Sequence, residues 1–130
     1  MKIVGIVARL LLGLIFAVFG LNGFLHFIPQ PPPPDPLAVQ FLVAVGESHF
    51  AWFFFFIQLL GGLLLLSGYF VPLALTLLAA ELFNILAFHL TLAPASIGPA
   101  LVTAALWVVV FLQHRESFRE IFRAKPSPQA

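Results

Sequence analysis

Glu81 stands alone as a carboxylate deep within a long apolar stretch, and Gln58 and Asn84 are the polar side chains best placed to meet it. A charged side chain in mid-membrane costs about 2.5–3.5 kcal/mol on insertion scales and needs a reason. Counted from a turn centred on Phe70, Gln58 and Glu81 fall at one depth of an antiparallel hairpin. Asn84 follows Glu81 at i+3, on nearly the same helix face. The spacing therefore predicts an interior polar cluster of Gln58, Glu81 and Asn84. Two chemistries fit it. One is interhelical hydrogen bonding alone. The other is handling of a ligand or a proton by a carboxyl group that keeps its proton unless a cation reaches it. Arg9 is the cation in question. At a rise of about 1.5 Å per residue it lies about 9 Å into the membrane. It either snorkels to the cytoplasm or turns inward to pair with Glu81.

A second tier of chemistry lies towards the other face. His26 ends the first apolar stretch, Glu47 and His49 precede the second, and His89 sits one turn from the end of the third. All four fall at similar depth. Three histidines and a carboxylate could ligate a divalent metal, and two histidines could ligate a haem. The spacings match no metal motif, and histidine is also a comfortable interfacial residue. If the bundle binds a polar-headed ligand, His89 is the group expected nearest its head. Phe53-Phe54-Phe55-Phe56 would then flank the tail, or they simply meet lipid and neighbouring helices. A ligand-binding set of Gln58, Glu81, Asn84, His89 and Arg9 is the expectation, with His26, Glu47 and His49 as weak metal candidates.

The elements that must carry these residues follow from composition. Hydrophobic residues make up 62% of the 130-residue chain and charged residues 8%, against roughly 25% charged in soluble domains. No lysine or arginine occurs between Arg9 and Arg115. A soluble domain would not stay dispersed with such a surface, whereas one facing lipid would. The net charge of +1, with its basic residues at the ends, argues against nucleic acid. The absence of cysteine excludes disulfides, thiolate metal sites and a thiol–disulfide relay within this chain.

Four spans are expected, over residues 3–25, 50–70, 72–92 and 97–113. The first is longer than the roughly 7–15 residues of a signal core and contains Arg9, so it is expected to remain as a span. Gly68 is placed to end span 2, Pro72 to begin span 3, and Ser96 to cap span 4. Small residues at Gly13, Gly20, Gly61 and Gly62 allow close helix contact. Arg9, Gly13, Phe16, Gly20 and Phe27 mark the expected packing seam of span 1. The proline-rich connection from Pro29 to Pro36 is expected to be stiff polyproline II. A short apolar helix from Leu37 to Gly46 should follow and lie at the interface. Four spans place both termini on one side, and the basic residues make that side the cytoplasm. The fold class is thus all-α: an integral membrane four-helix bundle with a short extra interfacial helix after a proline-rich loop. Its domains are a transmembrane domain over 1–114 and a cytoplasmic amphipathic tail over 115–130. The tail should continue span 4 as a helix, with Glu116–Arg119 and Glu120–Arg123 as i,i+3 pairs.

The pattern resembles the DoxX family of small four-span bacterial membrane proteins. The matching pieces are Arg9-Leu10-Leu11-Leu12-Gly13-Leu14-Ile15-Phe16, Gly20-Leu21-Asn22-Gly23-Phe24 and Gly61-Gly62-Leu63-Leu64-Leu65-Leu66-Ser67-Gly68. Pro72-Leu73-Ala74-Leu75 and Asn84-Ile85-Leu86-Ala87-Phe88-His89-Leu90 complete the likeness, which covers about residues 3–112. The resemblance implies a four-helix membrane bundle in the bacterial inner membrane and a loose link to redox chemistry, since one relative is the small subunit of a thiosulfate:quinone oxidoreductase. Relatives tend to carry a glutamate at the position of Gln58 and an apolar residue at that of Glu81. If the family carboxylate is functional, its role here is lost or has moved to span 3.

Three functional readings remain open on sequence. The chain is a module in the bilayer that binds an apolar small molecule, a quinone or a lipid, for a redox process. Alternatively it is a non-catalytic subunit that packs against other membrane subunits or its own copies. The third is a metal or haem protein built on the outer histidines. A transporter fits less well, because four spans are few and only one charge lies deep.

Overall fold

The computed structural model describes residues 2–128. Met1, Gln129 and Ala130, which the expected domain boundaries include, lie outside the described residues. The described chain forms five α-helices: α1 Lys2–Leu25, α2 Pro36–Glu47, α3 Phe50–Ser67, α4 Val71–Thr91 and α5 Gly98–Gln113. Short 3₁₀ turns cover Pro94–Ser96 and Arg115–Phe118. Helices suit such a sequence in lipid because each satisfies its own backbone N–H and C=O groups. Three of them, α1, α3 and α4, are long and apolar enough to cross a membrane. At 16 residues, α5 is shorter than the fourth span expected from the sequence. It spans about 24 Å.

Helices α1, α3, α4 and α5 pack in a ring in which each touches two neighbours, and α2 packs on α3. Contacts fix the directions. Gly13 of α1 meets Gly62 of α3, and Gly20 meets Leu59, so the two run antiparallel. Gly61 against Leu78 and Gln58 against Glu81, with only a short turn between the helices, set α4 antiparallel to α3. The short connection from Thr91 to Gly98 reverses the chain, and the Trp107 indole N–H of α5 donates to the Leu75 carbonyl of α4 at 3.0 Å. The core at the ring's centre is built from Leu12, Phe16, Leu65, Leu75, Leu78 and Val110, all nearly or fully buried.

The seam between α1 and α3 is closest because glycine faces backbone there. A Cβ at Gly20 would lie 2.6 Å from the Leu59 nitrogen, and one at Gly62 would run into the Ala17 backbone. Arg9 lies on the seam, half-buried, with its guanidinium against the Leu65 carbonyl at the end of α3. Phe27 does not belong to it and is exposed, because α1 ends at Leu25. Between α3 and α4, Gly68 takes a left-handed φ of 79° and its N–H bonds to the Leu64 carbonyl at 3.1 Å. Pro72 sits in the first turn of α4. Ser96 does not cap α5. Its hydroxyl donates back to Ala93 at 3.2 Å, closing the preceding 3₁₀ turn, and Ile97 occupies the cap position.

The proline-rich loop is tied down at its start. Asn22, 8% exposed, accepts from the Ile28 N–H at 2.7 Å and so folds the chain back after α1. Asp35 then caps α2, accepting from the Leu37 N–H at 2.9 Å, with Pro36 in the first turn. The C-terminal region departs from expectation. Residues 115–118 form a 3₁₀ turn rather than a continuation of α5, because Phe118 turns inward. It is 5% exposed and packs 5.0 Å from the Phe111 ring centre. The two expected ion pairs are present, Glu116–Arg119 at 3.7 Å and Glu120–Arg123 at 2.7 Å.

Candidate functional site

An open groove of about 400 Å³ lies between α2, α3 and α4. Ligand pockets of roughly 300–1,000 Å³ hold small molecules. Phe41 and Val45 of α2 form one wall, Phe50, Phe54 and Phe55 of α3 the second. Phe88 of α4 faces Phe41 at a ring distance of 5.8 Å, so α2 and α4 approach each other over the groove. The four-phenylalanine run divides by helix geometry. Phe54 and Phe55 line the groove, while Phe53 and Phe56 are exposed.

The polar groups of the groove, Asn84, His89 and Thr91, all come from α4. Each bonds a carbonyl of its own helix. Asn84 donates from Nδ2 to Ala80 at 2.9 Å, and Thr91 donates from Oγ1 to Ala87 at 2.7 Å. His89 Nδ1 lies 2.9 Å from the Ile85 carbonyl oxygen. A carbonyl only accepts, so Nδ1 carries the hydrogen there, and Nε2 of the neutral ring is left as an acceptor. The lining therefore offers three acceptors, Asn84 Oδ1, Thr91 Oγ1 and His89 Nε2, against one remaining donor, the second Nδ2–H of Asn84.

The expected polar cluster is brought together in part. Gln58 and Glu81 are buried, 4% and 7% exposed, and the Gln58 amide faces the Glu81 carboxyl. Among the described residues, none offers a hydrogen-bond partner to the buried Oε2 of Glu81. Asn84 is exposed on the groove side instead of joining them. The reason lies in the stripe of α4 that packs inward, Val71, Ala74, Leu75, Leu78, Glu81 and Leu82. Asn84 falls just off that stripe. Arg9 does not reach Glu81. Its guanidinium donates to the Leu65 carbonyl and lies against Gly68. The cation thus closes the C-terminal end of α3, where carbonyls lack helical partners and the helix dipole is negative.

His26, His49 and His89 lie towards one end of the molecule but do not share one site. His26 and His49 take left-handed backbone conformations, with φ of 55° and 63°, which histidine adopts more readily than most residues. His26 follows the end of α1, where its N–H bonds to Asn22 at 2.8 Å. His49 lies between α2 and α3, with its ring edge-on to Trp52 at 4.5 Å. Only His89 lines the groove. Among the described residues, no three His, Asp or Glu side chains come together as a metal-binding group. His26, Glu47, His49 and His89 therefore do not assemble as the metal-ligand set weighed above.

Sequence reasoning missed the contribution of α2 to the groove and the clamp made by Asn22. The lone asparagine just before the end of span 1 was the available signal for the latter. Comparison with known protein families, curated proteins and solved structures found no match for this chain.

Proposed function

We propose that this chain is a DoxX-like module of a bacterial inner membrane, with a groove that holds a small apolar molecule, a quinone or a lipid, for a membrane redox process. The observation that carries the reading is the groove itself. Aromatic walls from α2 and α3 face a strip of α4 that supplies a few polar groups, the usual build of a small-molecule site. Helix α5 is read as a fourth crossing, since it runs beside α1 and α4, and the ends of the first and last helices then share the cytoplasmic side. The basic residues at both ends of the sequence support that orientation.

Native mass spectrometry of the full chain in mild detergent tests the proposal. A retained quinone or lipid that is lost on filling the groove with Ala51→Phe supports it. A chain that carries no small molecule but holds another protein subunit, or a second copy of itself, favours the subunit reading instead.

A further inference from the structure

A second concavity lies at the opposite end of the molecule from the groove. It is an open cleft of about 230 Å³ between the start of α1 and the end of α5, lined by Lys2, Gly5, Ile6, Arg9, Gln113 and His114. Gly5 makes the cleft possible. A Cβ there would lie 2.7 Å from Cδ of Gln113, so the missing side chain lets Gln113 lie over α1. Lys2 and Arg9, at i and i+7 with Gly5 and Ile6 between them, share the helix face turned to it.

The charges at this end are unevenly matched. Glu116 and Glu120 are taken up by Arg119 and Arg123. Among the described residues, neither Lys2 nor Arg9 has a carboxylate partner within 4.0 Å. Arg9 spends Nη1 on the Leu65 carbonyl, and the rest of its five N–H donors remain. His114 is held by its Nδ1 contact with Val110 at 3.0 Å and closes the side of the cleft. Two cations and a side-chain amide thus converge on a concave site with no anion of its own. Basic pockets between membrane helices at the cytoplasmic surface suit lipid phosphates, and a guanidinium matches phosphate geometry.

We infer that the Lys2–Arg9–Gln113 cleft binds a phosphate group, supplied by an anionic phospholipid such as phosphatidylglycerol or by free phosphate. The inference rests on the membrane character of the long helices and is independent of the groove.

The full chain is placed in nanodiscs of equal phosphatidylglycerol and phosphatidylcholine, and retained lipid is read by native mass spectrometry. The wild type is expected to favour phosphatidylglycerol. Lys2→Glu should lower that preference by about five-fold or more, the effect of one basic side chain at an anionic surface. Lys2 is exposed, so the fold should survive, which circular dichroism checks. Lys125→Glu removes a cation that does not line the cleft and should leave the preference unchanged. In lipid-free detergent, inorganic phosphate that raises the unfolding temperature of the wild type, but not of Lys2→Glu, assigns the site to free phosphate if phosphatidylglycerol shows no preference. Equal lipid retention with no phosphate stabilisation overturns the inference. So does an equal effect of Lys125→Glu and Lys2→Glu.

Discussion

Gln58 and Glu81 meet across the α3–α4 interface, and the buried Glu81 Oε2 atom has no hydrogen-bond partner among the described residues. A buried polar atom without a partner costs about 1–3 kcal/mol, whereas replacing both members of a pair by apolar groups of similar shape is near neutral or stabilising. The Gln58→Leu/Glu81→Leu double variant is therefore expected to unfold at or above the wild-type temperature in detergent. Gln58→Leu alone should lose about 1–3 kcal/mol, because it strands the whole carboxyl group. A double variant less stable than either single one would mean that the pair holds the helices together. A stable double variant that loses its bound small molecule would mark Glu81 as retained for function.

Close glycine packing gives a second prediction. At Gly62 a side chain meets the Ala17 backbone, which cannot step aside. Gly62→Ala should destabilise the protein by about 1–3 kcal/mol through overpacking. Gly46 lies within α2 and has open space around its Cα. Gly46→Ala should be neutral or stabilising by about 0.5–1 kcal/mol, since alanine loses less entropy in a helix. Paired thermal unfolding curves check both. Equal effects at the two sites would contradict the tight α1–α3 seam.

The proposed topology is tested by sidedness. Reporter fusions in the Pro31–Pro34 loop and after Lys125 are expected to report opposite sides of the membrane, the loop outside and the C-terminal region in the cytoplasm. Same-side signals would sink the four-crossing reading. They would fit a chain in which α1, α3 and α4 alone cross.

Much of this architecture was legible in the residues. The helix stop at Gly68 and start at Pro72 obey local rules that depend on a few neighbours. The Asp35 cap and Pro36 start of α2 obey the same rules but fall in the stretch expected to be polyproline II. The equal depth of Gln58 and Glu81 followed from counting along a hairpin. What the sequence did not reveal depended on which face each helix turns inward. Asn84 is close in sequence to the buried stripe of α4, yet a rotation of about 60° separates i and i+3, enough to put it in the groove. Of the two destinations expected for Arg9, the inward one at Glu81 is not taken: the guanidinium reaches the free carbonyl at the end of α3 and the open cleft beside Gln113. Phe118 gave an amphipathic pattern that suited a surface helix, and its burial depends on a tertiary cluster that includes Val110 and Phe111.

The groove makes a prediction about the chemistry of its occupant. Asn84, His89 and Thr91 each direct a donor to their own helix, so the groove mainly presents acceptors. A head group bearing hydroxyls should bind better than one bearing only carbonyls, because an acceptor facing an acceptor leaves both unpaired. A short-tailed quinol is thus expected to stabilise the full chain more than the matching quinone, measured as a shift in unfolding temperature under anaerobic conditions. His89→Ala should reduce the advantage of the quinol while leaving the fold intact, since the ring is half-buried and contributes limited packing. Equal shifts for the two forms would refute the acceptor-rich reading and leave the groove as an apolar slot. No shift with either form, together with no small molecule retained on purification, would remove the groove as a binding site and leave His89 as an interfacial side chain.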